Sequence, residues 1–361
     1  MSDEPSTFAG IKEIAKALGI SIGTVDRALH ARPGVSKSTR DRVLKMAEQL
    51  NYRPNVAARN LKLNRRLSVG VFLPEQIALF FDRIRDGIRA GRDAGAGIGV
   101  DVVFHSYPRL GEGELEAIET ADWQKFDGII MAPGNPALLG PILGKLEAGH
   151  IPVVFVATDA ARLPRLASIT SDETVSGGIA ADLLGRVISS PAPVATITGD
   201  LHIQNHAEKL RGFAASLATL SPHLSLLPAI ESHELPADAY GAALDLFKKH
   251  PDLGGLYINT ANSLPVLRAM EENGCLGRVQ VITTDLFPEL VPFIEEGMVL
   301  ASLYQRPFTQ GKTAFEMLAR YLTANVVPKQ LTRLTPHIVL RSNLSMFIDL
   351  IYSDDSIVLL N

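Results

Sequence analysis

The chain has 361 residues, a formal net charge of −4, 46% hydrophobic residues and 20% charged residues, which excludes wholesale disorder and allows two or three globular domains. Its single cysteine, Cys275, excludes an intrachain disulfide framework and any paired-cysteine zinc or redox site. Because the first residues lack an apolar signal-peptide core and no apolar run reaches membrane-spanning length, we expect a cytoplasmic protein without a membrane partner.

Charge is distributed unevenly along the chain. Residues 1–66 hold 13 Lys and Arg against 6 Asp and Glu, a net charge of +7, so the remaining residues carry −11. A basic segment joined to an acidic body indicates a module that binds a polyanion such as nucleic acid. A solvated basic surface is the alternative that charge alone leaves open.

The basic segment has the pattern of short helices. The first is predicted by apolar residues at helical spacing, namely Ile11, Ile14, Ala15 and Leu18. Gly19 then supplies a stop, and Ser21 is a good N-cap for a second helix that runs to about His30. Ser36 can cap a third, with an apolar stripe at Val43, Leu44, Ala47 and Leu50. Two short helices around a tight turn and a third that completes the core are typical of a helix-turn-helix module.

Several short sequence runs in this segment are more specific than its helical pattern. They are the runs IKEIA (11–15), GIS (19–21), GTVDRAL (23–29), GVS (34–36), TR (39–40) and LNYRPN (50–55). Over about sixty residues they resemble the LacI-type (lactose/galactose repressor) family of bacterial transcription regulators. The resemblance implies that operator DNA is a partner.

The resemblance implies that the second helix enters the DNA major groove. There Ile22 is expected to touch a thymine methyl group, Gly23 to permit close backbone approach, and Arg27 to read a guanine through a bidentate pair. The family's phosphate-contacting positions are occupied by Ser21, Thr24, His30, Ser36, Lys37 and Thr39. Capping and surface solvation are the alternative for these six. Asp26 departs from the family's usual Ser, which leaves the exact operator preference open.

Residues 55–61 match the hinge helix of the same family. In relatives this segment folds on DNA and lies in the minor groove, where Leu61 would wedge into the central base step with Ala58 on the same face and Asn55 at the start. Because a seven-residue helix is marginal alone, coupling its folding to DNA is physically reasonable. A plain linker is the alternative.

From Leu67 onward, short apolar runs alternate with helical stretches. The predicted strands cover 68–73, 100–104, 128–131, 153–156, 168–170, 194–198, 255–258, 279–283 and 299–303. Nearly continuous apolar runs are typical of buried parallel strands, and repeated βαβ units predict doubly wound sheets in two lobes. The sequence contains no P-loop, GxGxxG, HExxH or GxSxG motif.

This body resembles the periplasmic sugar-binding-protein fold of the ribose-binding type. The expected fold class is an all-α helix-turn-helix head joined to a type I, two-lobed α/β body of parallel sheets. The expected divisions are 1–54 (head), 55–66 (hinge), 67–342 (body, with an N-lobe of 67–170 and 306–335 and a C-lobe of 171–305 and 336–342) and 343–361 (extension). The tail lacks a leucine-heptad pattern, so we expect a homodimer rather than a tetramer.

Candidate ligand residues follow the strands, where open α/β sheets bind ligands. Phe80 and Phe81 match an aromatic pair that stacks on the sugar in ribose-type binders. Asn259, Asp285 and Gln305 each directly follow an apolar strand and match ligand-binding positions of the family. Packing of the rings into the core, loop capping by Asn259 and a tie between crossover strands by Gln305 are the structural alternatives.

Two further candidates depart from the family pattern. Lys209 stands where relatives usually place Arg, and a lysine lacks the bidentate fork. The family's Asp after the fourth strand is replaced by Ala157 and Thr158, so Asp159 is the expected substitute. His206 is the more typical of a capping residue, although it could face the cleft.

The sequence thus predicts a ligand-responsive regulator, with repression implied by the resemblance and a monosaccharide or derivative as the small-molecule effector. A purine effector stays open, although Phe80, Phe81, Asn259 and Asp285 favour a sugar. The other class is an enzyme on the same sheets with the head as an oligomerisation bundle. No spacing offers a nucleophile–base pair or a metal cluster, so we expect no catalytic residue, no metal and no cofactor.

Overall fold

A computed structural model describes residues 11–29, 33–50, 66–96 and 99–352 of the chain. Four residues predicted to contact DNA fall outside these ranges, namely His30, Asn55, Ala58 and Leu61. Within the described ranges, no helix is both long enough and apolar enough to cross a membrane.

The head consists of three helices, α1 (Ile11–Leu18), α2 (Ile22–Leu29) and α3 (Lys37–Gln49). They bury a small core formed by Ile14, Ala15, Val25, Ala28, Val43 and Ala47. The predicted caps are confirmed, since Ser21 Oγ accepts the Thr24 N–H at 3.1 Å and Ser36 Oγ accepts the Thr39 N–H at 3.2 Å. The prediction for Leu44 was wrong, because the core stripe of α3 runs through Val43 and leaves Leu44 47% exposed.

The N-lobe is built on a six-stranded sheet with the order β12-β5-β4-β3-β1-β2, in which every pair is parallel. Its strands are β1 (Leu67–Pro74), β2 (Val100–Tyr107), β3 (Gly128–Met131), β4 (Val153–Ala157), β5 (Ala167–Ser171) and β12 (Leu331–Leu334). The helices of this lobe are α4 (Ala78–Gly91), α5 (Glu114–Thr120), α6 (Pro136–Ala148) and α12 (Pro307–Ala324).

The C-lobe is built on a seven-stranded sheet with the order β13-β11-β10-β9-β6-β7, and β8 also pairs with β6. Its strands are β6 (Ala192–Thr198), β7 (Leu224–Leu226), β8 (Ile230–Glu231), β9 (Gly255–Asn259), β10 (Gln280–Thr284), β11 (Ala301–Tyr304) and β13 (His337–Val339). Only β13 runs antiparallel, against β11.

The C-lobe helices cover both faces of this sheet. They are α7 (Glu173–Val187), α8 (Gln204–Leu220), α9 (Pro236–Lys249), α10 (Ser263–Glu272), α11 (Val291–Glu295) and α13 (Ser345–Tyr352). The last of these packs on the lobe's core through Phe347, Ile348 and Ile351. The two-lobed, doubly wound architecture predicted from the sequence is confirmed, and all nine predicted strands are present within one or two residues at most ends.

Glycines set the spacing of the helices that carry the cleft. A Cβ on Gly177 of α7 would overlap the Lys209 carbonyl of α8, and a Cβ on Gly212 would overlap the Thr174 carbonyl. The two helix backbones therefore touch, which is possible only without side chains at the crossing. This close approach places Lys209 beside Glu173, at the first residue of α7.

Replacing Gly212 by alanine should force α7 and α8 apart. We expect Gly212→Ala to lower the free energy of unfolding by about 1–3 kcal/mol, as overpacked cores do. Gly241→Ala is the matched control, since Gly241 lies in α9 with open space around it and alanine is the better helix former. Urea unfolding followed by circular dichroism measures both, and equal effects would contradict the close-packed crossing.

Candidate functional site

A cleft of about 490 Å³, which includes its open mouth, lies between the two lobes. Five of the predicted ligand residues line it, namely Phe80, Phe81, Lys209, Asp285 and Gln305. Other lining side chains include those of Ile77, Thr158, Asn205, His206, Glu234 and Thr260. The carboxyl ends of the strands in both sheets open onto this space, as expected for doubly wound sheets.

The first turns of α8 supply one wall of the cleft. Asn205 and His206 at the start of the helix and Lys209 one turn later all line the space. The Asn205 amide donates to the Ala157 carbonyl of the N-lobe at 2.5 Å and to Glu173 Oε1 of the C-lobe at 3.1 Å. A second bond between the lobes runs from Gln76 Nε2 to the Glu234 carbonyl at 2.5 Å. Asn205 therefore ties the lobes together inside the cleft.

Lys209 is a buried charge with a buried partner. Its ammonium lies 3.4 Å from Glu173 Oε2, and the side chains are only 4% and 2% exposed. Burial acts to lower the pKa of Lys209, but the attraction of Glu173 and other anionic groups outweighs it and the net shift is upward. Lysine thus stays charged at the cleft wall because a carboxylate lies directly behind it.

Asp285 follows β10 in a left-handed conformation, with φ of +66°. Its side chain accepts hydrogen bonds from Gln305, at 2.7 Å from the amide nitrogen and at 3.4 Å from the backbone nitrogen. Burial raises the pKa of Asp285 to about 7, and Lys209 offsets this only in part. Ile77 and Ala157, also on the cleft wall, have φ of +58° and +69°. Such backbone geometry is costly for non-glycine residues and tends to cluster at functional sites.

On the C-lobe wall, His206 also contacts Glu234. The His206 Nε2 and Glu234 Oε1 atoms are 2.9 Å apart, and both side chains are nearly inaccessible to solvent. The other oxygen of Glu234 accepts from the Thr260 hydroxyl at 2.8 Å and from the Asn262 amide at 3.1 Å. Burial acts to raise the pKa of Glu234, but His206 outweighs it, so that the pKa lies below its ordinary value.

Phe80 and Phe81 form the apolar wall on the N-lobe side. Their ring centroids are 5.1 Å apart and the rings meet edge to face. Both rings also belong to the N-lobe core. The two phenylalanines therefore pack into the core and line the cleft at the same time. An apolar face opposite charged and amide groups suits a ligand with one hydrophobic face and a polar rim.

Two predicted ligand residues do not line the cleft. Asp159 is turned to Arg165, whose Nε lies 2.9 Å from its Oδ1, and it also accepts the Ala160 N–H at 2.9 Å. Asn259 lies behind the wall, where its amide donates to Thr198 Oγ1 at 3.0 Å and to the His206 carbonyl at 3.1 Å. Asn259 thus holds the start of α8 in place from behind.

Sequence reasoning missed Glu234 as a cleft residue and judged His206 the more typical of a cap. Glu234 lies after the two-residue strand β8, and no apolar run in the sequence predicts that strand. His206 is separated from Glu234 by 28 positions, so only the folded sheet shows that they pair. Asp172 is the N-cap of α7 and accepts the Val175 N–H at 3.2 Å.

In the head, most of the predicted DNA-contacting residues that the structure describes lie at the starts of α2 and α3, while Arg27 lies in the last turn of α2. Ser21, Ile22, Gly23 and Arg27 are exposed on the first helix face, and Ser36 and Lys37 on the second, while Thr24 and Thr39 are half-buried. Ile22 is 50% exposed, so its side chain is accessible at the start of α2. Arg27 lies along α2, with Nη2 at 3.5 Å from Thr24 Oγ1.

Comparison with known proteins identifies both parts of the chain. Residues 69–325 match the family model of the periplasmic binding protein domain, and residues 10–55 match that of the bacterial regulatory proteins of the lacI family. The chain belongs to the LacI family. It combines that family's helix-turn-helix domain with a periplasmic-binding-protein-like body, as the resemblance of the sequence implied.

Curated relatives share this organisation over most of their length. The chain is 25% identical over 340 residues to the catabolite control protein A of Priestia megaterium, covering 91% of this chain and 96% of that protein. It is also 25% identical over 320 residues to the ribose operon repressor of Bacillus subtilis, covering 86% and 91%. These LacI-family relatives are transcription regulators rather than enzymes.

Solved structures match the body alone. A glucose-galactose binding protein from Geobacillus stearothermophilus aligns with a TM-score of 0.70 at 24% identity, over 78% of this chain and 99% of that one. A solute binding protein from Agrobacterium vitis bound with alpha-D-tagatopyranose aligns with a TM-score of 0.73 at 19% identity, over 80% and 100%. At these identities the likeness shows the fold.

Removing the partner of Lys209 should be strongly destabilising. We expect Glu173→Gln to lower the free energy of unfolding by about 3–5 kcal/mol, because it leaves a buried ammonium without its carboxylate. The double change Glu173→Gln with Lys209→Met should recover much of that loss. Urea unfolding of the single and double variants tests the coupling, and equal losses in both would contradict it.

Proposed function

We propose that the protein is a transcriptional repressor that binds palindromic operator DNA as a homodimer and responds to a small sugar-like ligand in the cleft. The observation that carries this proposal is the joining of a capped helix-turn-helix head to a polar cleft between two lobes. On this proposal residues 1–54 bind DNA, residues 55–66 form the hinge, and residues 67–342 bind the ligand and hold the dimer together.

The DNA contacts follow from the exposed faces of α2 and α3. Arg27 reads a guanine edge, Ile22 contacts a thymine methyl, and Gly23 lets the α2 backbone approach the bases. Phosphates are held by the remaining polar positions, namely Ser21, Thr24, His30, Ser36, Lys37 and Thr39. The Ser21 and Ser36 caps lie at helix N-termini, which favour phosphate through their free N–H groups and dipoles.

The hinge segment completes the DNA-binding surface. Leu61 enters the minor groove as a wedge, with Ala58 on the same face and Asn55 at the start of the segment. Such a wedge needs a deformable central base step, which is why the operator is expected to carry a CG- or TA-like centre. The folding of this short helix is supported by DNA rather than by its own sequence.

The ligand acts by changing how the lobes close. A sugar placed between Phe80 on the N-lobe and Lys209 with Asp285 on the C-lobe touches both lobes and favours one closure. That closure shifts the N-lobe contacts between subunits and so orders or releases the hinge segments. A coupling of about 1–3 kcal/mol changes operator affinity about 5–150-fold.

The names of relatives support a sugar over a purine. The matching proteins include a ribose operon repressor and a glucose-galactose binding protein, although repressors named PurR also match, at 23% identity or less. The cleft itself favours a sugar, because an apolar ring wall faces carboxylate and amide acceptors. An enzyme on the same sheets is not supported by these relatives.

Operator binding is tested by fluorescence anisotropy with labelled DNA from the region upstream of the gene. We expect specific binding at moderate salt that one compound of a monosaccharide and polyol panel weakens or strengthens. Scrambled DNA of equal length is the control. Equal affinity for the scrambled and the upstream DNA would contradict the proposal.

Arg27 and Lys37 should differ in what they contribute to DNA binding. We expect Arg27→Ala to relax preference at one base pair of each half-site by about 1–3 kcal/mol. Lys37→Ala should weaken all DNA sequences alike and reduce the salt dependence, as loss of a phosphate contact does. Anisotropy with single-base operator variants separates the two. An unchanged base preference in the Arg27→Ala variant would show that Arg27 does not read a base.

A further inference from the structure

A histidine and two carboxylates come together outside the cleft, around the loop that joins β6 to α8. They are Asp200 and His202 of this loop and Glu231 of β8. One possible ligand atom from each lies within 4.8 Å of those from the other two. The sheet brings them together, because Thr198 at the end of β6 pairs with Glu231. No metal was expected from the sequence, since this pairing joins residues that are far apart along the chain.

The geometry of the loop is close to that of a metal site. The His202 Nδ1 and Asp200 Oδ1 atoms are 2.9 Å apart. Zinc binds imidazole nitrogen and carboxylate oxygen at about 2.0–2.2 Å, so two atoms bound to the same ion lie about 3 Å apart. Asp200 and His202 therefore need little movement to share an ion, and Glu231 is near enough to supply a third ligand.

Backbone amides hold both carboxylates in place. The His202 N–H donates to Asp200 Oδ1 at 2.8 Å, and the Leu201 N–H donates to Glu231 Oε2 at 2.9 Å. Contacts of this kind behind the ligands orient them and strengthen metal binding. The loop thus fixes the carboxylates through its own main chain.

The two carboxylates lack a strong cation. In the described parts of the chain, neither Asp200 nor Glu231 forms an ion pair with a lysine or an arginine, and Asp200 pairs with His202. Carboxylates this close repel each other unless a positive charge lies between them. A divalent cation removes that repulsion, and a histidine beside it adds a nitrogen ligand.

The cluster is open to solvent on one side and adjoins the cleft on the other. The His202 side chain is 95% exposed, which gives an ion free entry and leaves coordination positions for water. On the inner side, the Asp200 carbonyl lies 3.0 Å from Nδ1 of His206, which lines the cleft. Ile203, the last residue before α8, lines it too.

We propose that Asp200, His202 and Glu231 bind a divalent transition-metal ion of the zinc type, and that this ion fixes the loop before α8. One imidazole and two carboxylates suit Zn²⁺, whereas Mg²⁺ and Ca²⁺ prefer oxygen ligands alone. The ion has a structural role and takes part in no reaction. The site goes beyond the proposed function, because it requires neither operator nor sugar.

Isothermal titration calorimetry with Zn²⁺ tests the site. The full chain is used without an affinity tag, after removal of bound metal by a chelator. We expect one Zn²⁺ ion to bind per chain. A large excess of Mg²⁺ should leave the dissociation constant nearly unchanged, because Mg²⁺ does not favour an imidazole ligand.

Two variants and a control locate the ion. His202→Ala changes an exposed side chain, so the fold is retained, and the dissociation constant for Zn²⁺ should rise at least about tenfold. Glu231→Gln keeps an oxygen for the Leu201 N–H and should also weaken binding. His150→Asn is the matched control, because it removes an exposed histidine of the N-lobe, and it should bind Zn²⁺ like the unmodified chain.

Amide hydrogen exchange tests the effect on the loop. Zn²⁺ should slow exchange in residues 199–203 of the unmodified chain, because the ion opposes local opening. The same Zn²⁺ concentration should leave exchange in this loop unchanged in His202→Ala.

Four results would overturn the proposal. They are no Zn²⁺ binding, equal Zn²⁺ affinity in His202→Ala and the unmodified chain, displacement of Zn²⁺ by a comparable concentration of Mg²⁺, and unchanged exchange in the loop. Equal affinity would mean that the ion binds elsewhere, for example at His206 and Glu234. All measurements are made without DNA or sugar, so failure of the metal site leaves the proposed regulator intact. Loss of specific operator binding would equally leave the metal site intact.

Discussion

Inside the cleft, the two lobes of the body are linked by a side-chain amide whose two hydrogens are donated to different lobes. Asn205 donates to the Ala157 carbonyl on the N-lobe and to Glu173 on the C-lobe. Glu173 in turn holds the buried charge of Lys209. A ligand that touches Lys209 therefore acts on a group that is already linked to the lobe contact, which gives closure a direct physical connection to the cleft.

The same packing device recurs in both lobes. In the N-lobe, α4 and α12 cross at Gly87 and Gly311, where a Cβ would overlap the Phe308 and Ile84 carbonyls. In the C-lobe, α7 and α8 cross in the same way at Gly177 and Gly212. At each crossing, the helix that follows the first strand of the lobe packs against a helix that begins where the chain passes over from the other lobe. Each lobe therefore contains a close-packed helix pair beside the cleft, which favours rigid lobes that move as units.

Local sequence patterns were enough to predict most of the fold. Apolar runs predicted the strands of both sheets, and serine after glycine predicted the caps of α2 and α3. The short strands β7, β8, β12 and β13 were not predicted, because each has only two to four residues and none is a continuous apolar run of the usual strand length. Leu44 was assigned to the core wrongly, because two adjacent apolar residues in a short helix do not indicate which of them faces the core.

The cleft was predictable only where its residues directly follow strands or carry a family motif. Asp285 and Gln305 follow β10 and β11, and both line the cleft. Glu234 needed the tertiary structure, since its partner His206 is distant in sequence. Asp159 was assigned to the cleft because it lies near a strand end. In the structure it pairs with the nearby Arg165 instead. Pairings of this kind depend on side-chain direction, which spacing along the chain does not specify.

The central claim is that the cleft and the DNA-binding head are thermodynamically coupled. Its most direct test is to measure the dissociation constant of a cleft-binding polyol for free protein and for protein saturated with operator. The operator constant is measured with and without that polyol. The account predicts that both constants change by one common factor, about 5–150-fold. A polyol that binds free and operator-bound protein with the same constant would contradict it.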